Sequence, residues 1–129
     1  MGSEFTFYDY VGDQGDNVIH AWLQVMPKKV KVKFNKQIMY LEATPLGQWS
    51  RPYVAILAED CAGLFEIRVK LGQEYRMMGT HMPGRKPTLL HCFIKPGKKV
   101  PTMECNRALS KKAQVTADPR KHRVEHNYE

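Results

Sequence analysis

The sequence predicts a single α+β domain in which two helices precede a small antiparallel sheet and a last helix follows it. Two observations carry this. Between Gly63 and Lys95 three apolar runs, LFEIRV, YRMMGTH and PTLLHCFIK, are separated by LGQ (Leu71 to Gln73) and PGRKP (Pro83 to Pro87). Turn-forming residues interrupt the runs where the chain must reverse, which is the pattern of an antiparallel meander. Ahead of the meander, Val18, Ile19, Trp22, Leu23 and Met26 recur at helical spacing, and so do Val30, Phe34, Ile38 and Leu41. At 129 residues the chain is long enough for one modest core, and a hydrophobic fraction of 43% excludes a disordered chain.

Taken in order, Met1 to Phe5 (MGSEF) reads as a cloning scar and is left out of the fold, so the domain is expected over residues 6–113. Thr6 to Gly12 alternates as a first strand, and DQGDN follows as a turn. Asp16 or Asn17 can cap a helix from Val18 to Met26, because a short side-chain oxygen accepts an orphan backbone N–H. Pro27 stops that helix. Lys29 to Ala43 reads as a second helix, although its opening, VKVKF, also suits a strand; Lys29, Lys33 and Lys36 are either RNA contacts or a solvated face. Thr44 to Pro52 is a loop in which Trp49 is read as core cover, with base stacking as the alternative. Tyr53 to Leu57 is a one-turn helix or a buried strand.

In the meander, a period of two divides the side chains. Phe65, Ile67 and Val69 take one face; Leu64, Glu66 and Arg68 take the other. Arg76 alternates with Tyr75 and Met77. In the third run Leu89, His91, Phe93 and Lys95 share a face opposite Leu90, Cys92 and Ile94. The sheet can therefore present Arg68, Arg76, His91 and Lys95 together. Pro101 and Thr102 open a last helix, with Glu104 near its N-terminus where the dipole favours it, ending around Ala113. Gln114 to Glu129 is polar and is expected as a mobile tail.

The net charge of +7 is uneven. Residues 1–60 carry six Lys/Arg and seven Asp/Glu, a net of −1; residues 61–129 carry fourteen and six, a net of +8. A basic half that also holds the meander points to a polyanion partner, nucleic acid or ribosome. Cys61, Cys92 and Cys105 leave an odd cysteine, which argues against a disulfide framework and fits a reducing cytosol; no CxxC spacing marks a metal site. The i, i+4 histidines of HRVEH (His122 and His126) are a metal pair or, more simply, part of a solvated tail. No run approaches the ~18 apolar residues of a membrane span, and no signal-peptide arrangement opens the chain.

The words GLFEIRV, EYRMMG and LLHCFIKPGKKVP, followed by a helix with ECNRAL, resemble in order and spacing the RelE/ParE superfamily of bacterial toxins, and within it the phage-derived, HigB-like branch. The resemblance extends upstream through VIHAWLQ and WSRPYVAIL and covers Phe7 to Ala113. It implies a RelE-like fold of order β-α-α-β-β-β-α and a ribosome-dependent endoribonuclease that cuts messenger RNA without metal or other cofactor. In that chemistry the 2′-OH of the message attacks the adjacent phosphate. One group takes its proton, another holds the charge of the phosphorane, and a third protonates the leaving oxygen.

By the same resemblance Arg76, in EYR, is the first candidate for phosphate stabilisation and Arg68, in EIR, the second. Arginine stays charged and offers phosphate a planar fork. Each has a salt bridge as its structural alternative. Lys95 matches the first lysine of the family's FiKK word, as a phosphate ligand or base; the second lysine is replaced by Pro96. His91, in LLHCF, is an acid/base or a packed core histidine. Glu66 is a further candidate base, and Phe93 and Tyr75 are base-stacking or core residues. Lys98, Lys99, Arg85 and Lys86 are candidate RNA contacts. The implied partners are a cognate antitoxin, of a helix-turn-helix type, the ribosome and its message, in the cytoplasm and with no membrane. Two alternatives stand beside the nuclease: a non-catalytic ParE-like toxin that binds gyrase, and a phage RNA-binding regulatory module.

Overall fold

The computed structural model describes residues 4–51, 54–98 and 101–129. The elements are β1 (Tyr8–Tyr10), α1 (Val18–Val25), α2 (Lys28–Glu42), β2 (Val54–Ile56), β3 (Phe65–Leu71), β4 (Gln73–Thr80), β5 (Thr88–Ile94), α3 (Thr102–Ala117), α4 (Pro119–His122) and β6 (Arg123–Glu125). Among the described residues this is an α+β chain with four α-helices and one open six-stranded sheet in the order β2-β3-β4-β5-β1-β6. All neighbours are antiparallel except β1 and β5.

Local chemistry sets the helix boundaries. Asn17 caps α1, its Oδ1 accepting from the His20 N–H at 2.9 Å. Pro27 separates α1 from α2, and VKVKF is helical. The apolar stripes of both helices, with Ile19, Leu23, Val30, Phe34, Ile38 and Leu41, pack on Phe65, Ile67, Val69 and Met77 of the sheet. Trp49 closes this core and donates its Nε1–H to the Thr44 carbonyl at 2.9 Å, so it is core cover. α3 covers part of the other face, where Cys105, Ala108 and Val115 meet Leu64, Met78, Leu90 and Phe93.

Two glycines allow the meander to close. Gly72 turns β3 into β4 with φ of +76°, a conformation open to residues without a Cβ. At Gly79 a Cβ would stand 2.6 Å from Phe65 Cζ and 2.8 Å from the Thr88 carbonyl oxygen. Beside it the register of β4 and β5 slips: Met78 faces His91 but Gly79 faces Leu89, so Leu90 is an extra residue. The bulge corrects the expected alternation. Leu89 turns to the α1/α2 core, while Leu90, His91 and Phe93 lie on the α3 side.

Of Tyr53 to Leu57, read as a one-turn helix or a buried strand, the described residues Val54–Ile56 form the edge strand β2, with Val54 and Ala55 buried. Other expectations are overturned. The polar stretch 114–129 is built into the domain: α3 runs on to Ala117 because Val115 is buried, and β6 pairs with β1. Asp9, fully buried, accepts from His126 Nδ1 at 2.6 Å, Asn17 Nδ2 at 2.9 Å and the Asn127 N–H at 3.3 Å. The other His126 nitrogen meets Asn35 Oδ1 at 2.9 Å, and the Tyr128 hydroxyl donates to Glu42. At the other end of the chain, Phe5 belongs to the core, edge-on to Trp49.

Cys61 and Cys105 are joined as a disulfide that ties the turn before β3 to α3, against the expectation drawn from the odd count; their Cα atoms are 5.1 Å apart. Cys92 is free and beside the core, where burial raises its thiol pKa. Protein purified without reductant and then denatured should take up one equivalent of thiol label, at Cys92, and three after reduction. Mass spectrometry reads the count, and three equivalents before reduction would contradict the pairing.

Candidate functional site

Strand register lays out the second face of the sheet in three rows. Glu66, Met78 and His91 form the first; Arg68, Arg76 and Phe93 the second; Lys70 and Glu74 the third, joined by Lys95, whose N–H donates to the Glu74 carbonyl at 2.8 Å. Directly opposite residues on antiparallel strands share a face, so the four residues singled out in the sequence do lie on one side. α3 packs over the first row and leaves the third open.

The middle row is organised by one carboxylate. Glu66 is fully buried, and its Oε1 accepts from Arg76 Nη1 at 2.6 Å and from Arg68 Nε at 2.9 Å. Arg76 is 4% exposed, and its Nη2 pairs with Glu74 at 2.6 Å. The hydrogen bond from Arg76 holds the Glu74 carboxyl below the usual range. Both terminal amino groups of Arg76 are thus occupied beneath the surface. Arg68 differs: only its Nε is engaged, its side chain is 29% exposed, and its two terminal amino groups have no partner among the described residues.

His91 lies under α3. Its Nε2–H donates to Glu104 Oε1 at 2.9 Å, and its Nδ1 accepts from Lys111 Nζ at 3.2 Å, which is the pattern of a neutral ring. Burial holds the imidazole below its usual range, outweighing the Glu104 hydrogen bond that pulls upward; burial likewise lowers Lys111. The His91–Glu104 contact is therefore a hydrogen bond of a neutral imidazole at neutral pH. Phe93 stacks beside His91, and both Phe93 and Tyr75 are buried, so neither offers a free ring to a base.

Lys95 and Lys98 line a cleft of about 510 Å³ with the β3–β4 turn (Gly72 to Glu74). Lys99 lies outside the described residues. Arg85 and Lys86 are elsewhere, in the loop before β5: Arg85 pairs with Glu4 at 2.7 Å and Lys86 sits over the Tyr8 ring. The seven residues of β5 put about 20 Å between its two ends. The α2 lysines are across the sheet, on the solvent side of α2. Sequence reasoning missed Lys70, which the same alternation as Arg68 would have placed on this face. It also missed the contacts of Glu104 and Lys111 with His91, for which no local signal exists. Among the described residues no group of three His, Cys, Asp or Glu is placed to hold a metal ion. His122 ends α4 and His126 follows β6, and each ring already has a hydrogen-bond partner.

With this geometry in view, comparison with known proteins identifies the class. The profile of the family described as "Phage derived protein Gp49-like (DUF891)" matches residues 21–113, and the chain belongs to that family. The family is RelE-like and is associated with the toxins of toxin–antitoxin systems, which implies a cognate antitoxin as partner. No curated protein matches the chain. Among the described residues no helix is long and apolar enough to cross a membrane.

Two outcomes test the geometry. Arg76→Ala leaves the Glu66 carboxylate buried without its main partner and should cost about 3–5 kcal/mol in urea denaturation. Arg68→Ala, at a partly exposed pair, should cost no more than about 1 kcal/mol. Equal losses would contradict the assignment of the two arginines. For His91, the folded pKa lies below the unfolded value, so the unfolded chain takes the proton first as pH falls. Stability should decline as pH drops through about 6.5 and level off below the folded pKa. Burial lowers His81 in the same direction, so the decline should become shallower, without vanishing, in His91→Gln.

Proposed function

We propose that this protein is the toxin of a type II toxin–antitoxin pair, with the topology of the RelE-like fold and a HigB-like activity: a ribosome-dependent, metal-independent mRNA endoribonuclease acting in the cytoplasm. The observation that carries the reading is Arg68. A buried carboxylate holds its Nε and leaves the two-pronged end of the guanidinium free on an open face that also bears Lys70 and Lys95. A fork with two unused donors matches two oxygens of a phosphate, and it gains most when the phosphate takes on a further charge.

In this mechanism the 2′-OH of the message attacks the adjacent phosphate. The new O–P bond gives a 2′,3′-cyclic phosphate, and the bond to the 5′ oxygen breaks, that oxygen taking up a proton to leave as a 5′-OH. Arg68 holds the non-bridging oxygens of the phosphorane. Lys95 is the second cation at the phosphate and, with Lys98, follows the backbone along the cleft. Arg76 acts as a positioning residue: it fixes Glu66, which fixes Arg68. His91, engaged at both ring nitrogens, holds α3 to the sheet, and the proton of the 2′-OH is left to groups that the ribosome helps to place. A cognate helix-turn-helix antitoxin would neutralise the toxin by covering the basic face.

The test is primer extension on a defined message, with programmed ribosomes and with naked RNA. Wild type should cut within the A-site codon, and only on ribosomes. Arg68→Ala should cut about 100-fold more slowly or worse, the scale of losing a charge-stabilising donor. Absence of cutting by folded wild type, together with relaxation of plasmid supercoiling in arrested cells, would replace this reading with the gyrase-binding one.

A further inference from the structure

A second basic site stands apart from the Lys95–Lys98 cleft described above. Lys86 from the β4–β5 loop, Arg120 from α4 and Arg123 from β6 surround the half-buried ring of Tyr8 in an open cleft of about 350 Å³, with Pro119 on its wall. Lys86 Nζ lies 5.6 Å and the Arg123 guanidinium 4.9 Å from the centre of the Tyr8 ring. Among the described residues none of these three cations has a carboxylate at ion-pair distance. Their sequence neighbours do: Arg85 pairs with Glu4 at 2.7 Å and Lys121 with Asp13 at 3.8 Å.

Three like charges from three separate segments converge here with no carboxylate at ion-pair distance; the acid on this part of the sheet, Glu125, stands opposite Tyr8 in the β1–β6 register and pairs with none of them. Their mutual repulsion is relieved by an anion, and the tyrosine ring draws two of them together. The cleft is an open trough, so it suits a chain that passes through it. Four of its five residues, Tyr8, Pro119, Arg120 and Arg123, lie outside the stretch 21–113 that the family shares. The trough is therefore the work of the first strand and of the C-terminal segment that pairs with it.

We infer that this trough binds the phosphodiester backbone of RNA, about 20 Å from the cleft at the other end of β5, as a holding site separate from the chemistry. The inference rests on the reading of the protein as an RNA-acting toxin. Arg120 and Lys86 are the phosphate ligands, and Arg123 with Tyr8 forms the floor. The contacts are to backbone, so binding is indifferent to sequence and weakens with salt.

The experiment is fluorescence anisotropy with a labelled 20-residue oligouridylate, over a series of salt concentrations. It compares wild type, Lys86→Ala/Arg120→Ala and, as a charge-matched control on the far side of the sheet, Lys29→Ala/Lys33→Ala. Circular dichroism checks that each is folded. The trough variant should bind at least 5-fold more weakly at low salt, with its log–log salt slope reduced by about 1.4, from two lost contacts to a single strand. The control should bind as wild type does. No binding by wild type, an unchanged slope in the trough variant, or an equal loss in the control would overturn the inference. Ribosomal cleavage by wild type and Arg68→Ala is read separately. Cleavage with an unaltered trough variant sinks the trough alone; trough-dependent binding without cleavage sinks the nuclease alone.

Discussion

One oxygen of Glu66 accepts hydrogen bonds from two arginines on adjacent strands, and the order of the candidate site follows from it. A carboxylate with no exposure to solvent is tolerated only if charged donors replace the water it has lost. Arg76 supplies the nearer donor and is buried in turn, with its own second nitrogen passed on to Glu74. The arrangement is not saturated: Glu66 Oε2 and Arg76 Nε have no partner among the described residues. Replacing such a pair with apolar groups often stabilises a fold, so this one is better explained by what it positions than by what it contributes to stability. What it positions is Arg68, held at Nε and open at its other two nitrogens.

The rest of the molecule keeps that face in shape. α1 and α2 bury the opposite side of the sheet, which frees the second side to be polar at one end and packed at the other. α3 rests on the packed end, held by the Cys61–Cys105 disulfide and by the His91–Glu104 hydrogen bond. The bulge at Leu90 brings Leu90 and His91 to the α3 side in succession, which a regular strand would not do. At the far edge, the buried Asp9 ties together β1, the cap of α1 and the C-terminal segment.

How much of this was legible depended on the kind of force involved. Phe65, Ile67 and Val69 against Glu66 and Arg68 divided the faces correctly, because burial imposes a period of two on a strand. The same rule failed at Leu89, since two adjacent leucines do not reveal a bulge. It put Arg76 on the right face but could not see its depth, which depends on a carboxylate ten residues earlier and on the packing around it. The segment beyond Ala113 looked like a tail because it is polar. Its order comes from long-range hydrogen bonds, His126 to Asp9 and Tyr128 to Glu42, which leave no periodic trace. Cys61 and Cys105 are 44 residues apart, and no spacing rule joins them.

In the proposed mechanism Glu66 matters to the reaction only through Arg68. A double-mutant cycle in single-turnover cleavage on programmed ribosomes measures that dependence, with Glu66→Gln, Arg68→Ala and the two combined, all at a temperature where each variant is folded. The account predicts that Glu66→Gln slows cleavage in the wild-type background and has no further effect once Arg68 is alanine. An equal slowing in both backgrounds would contradict it.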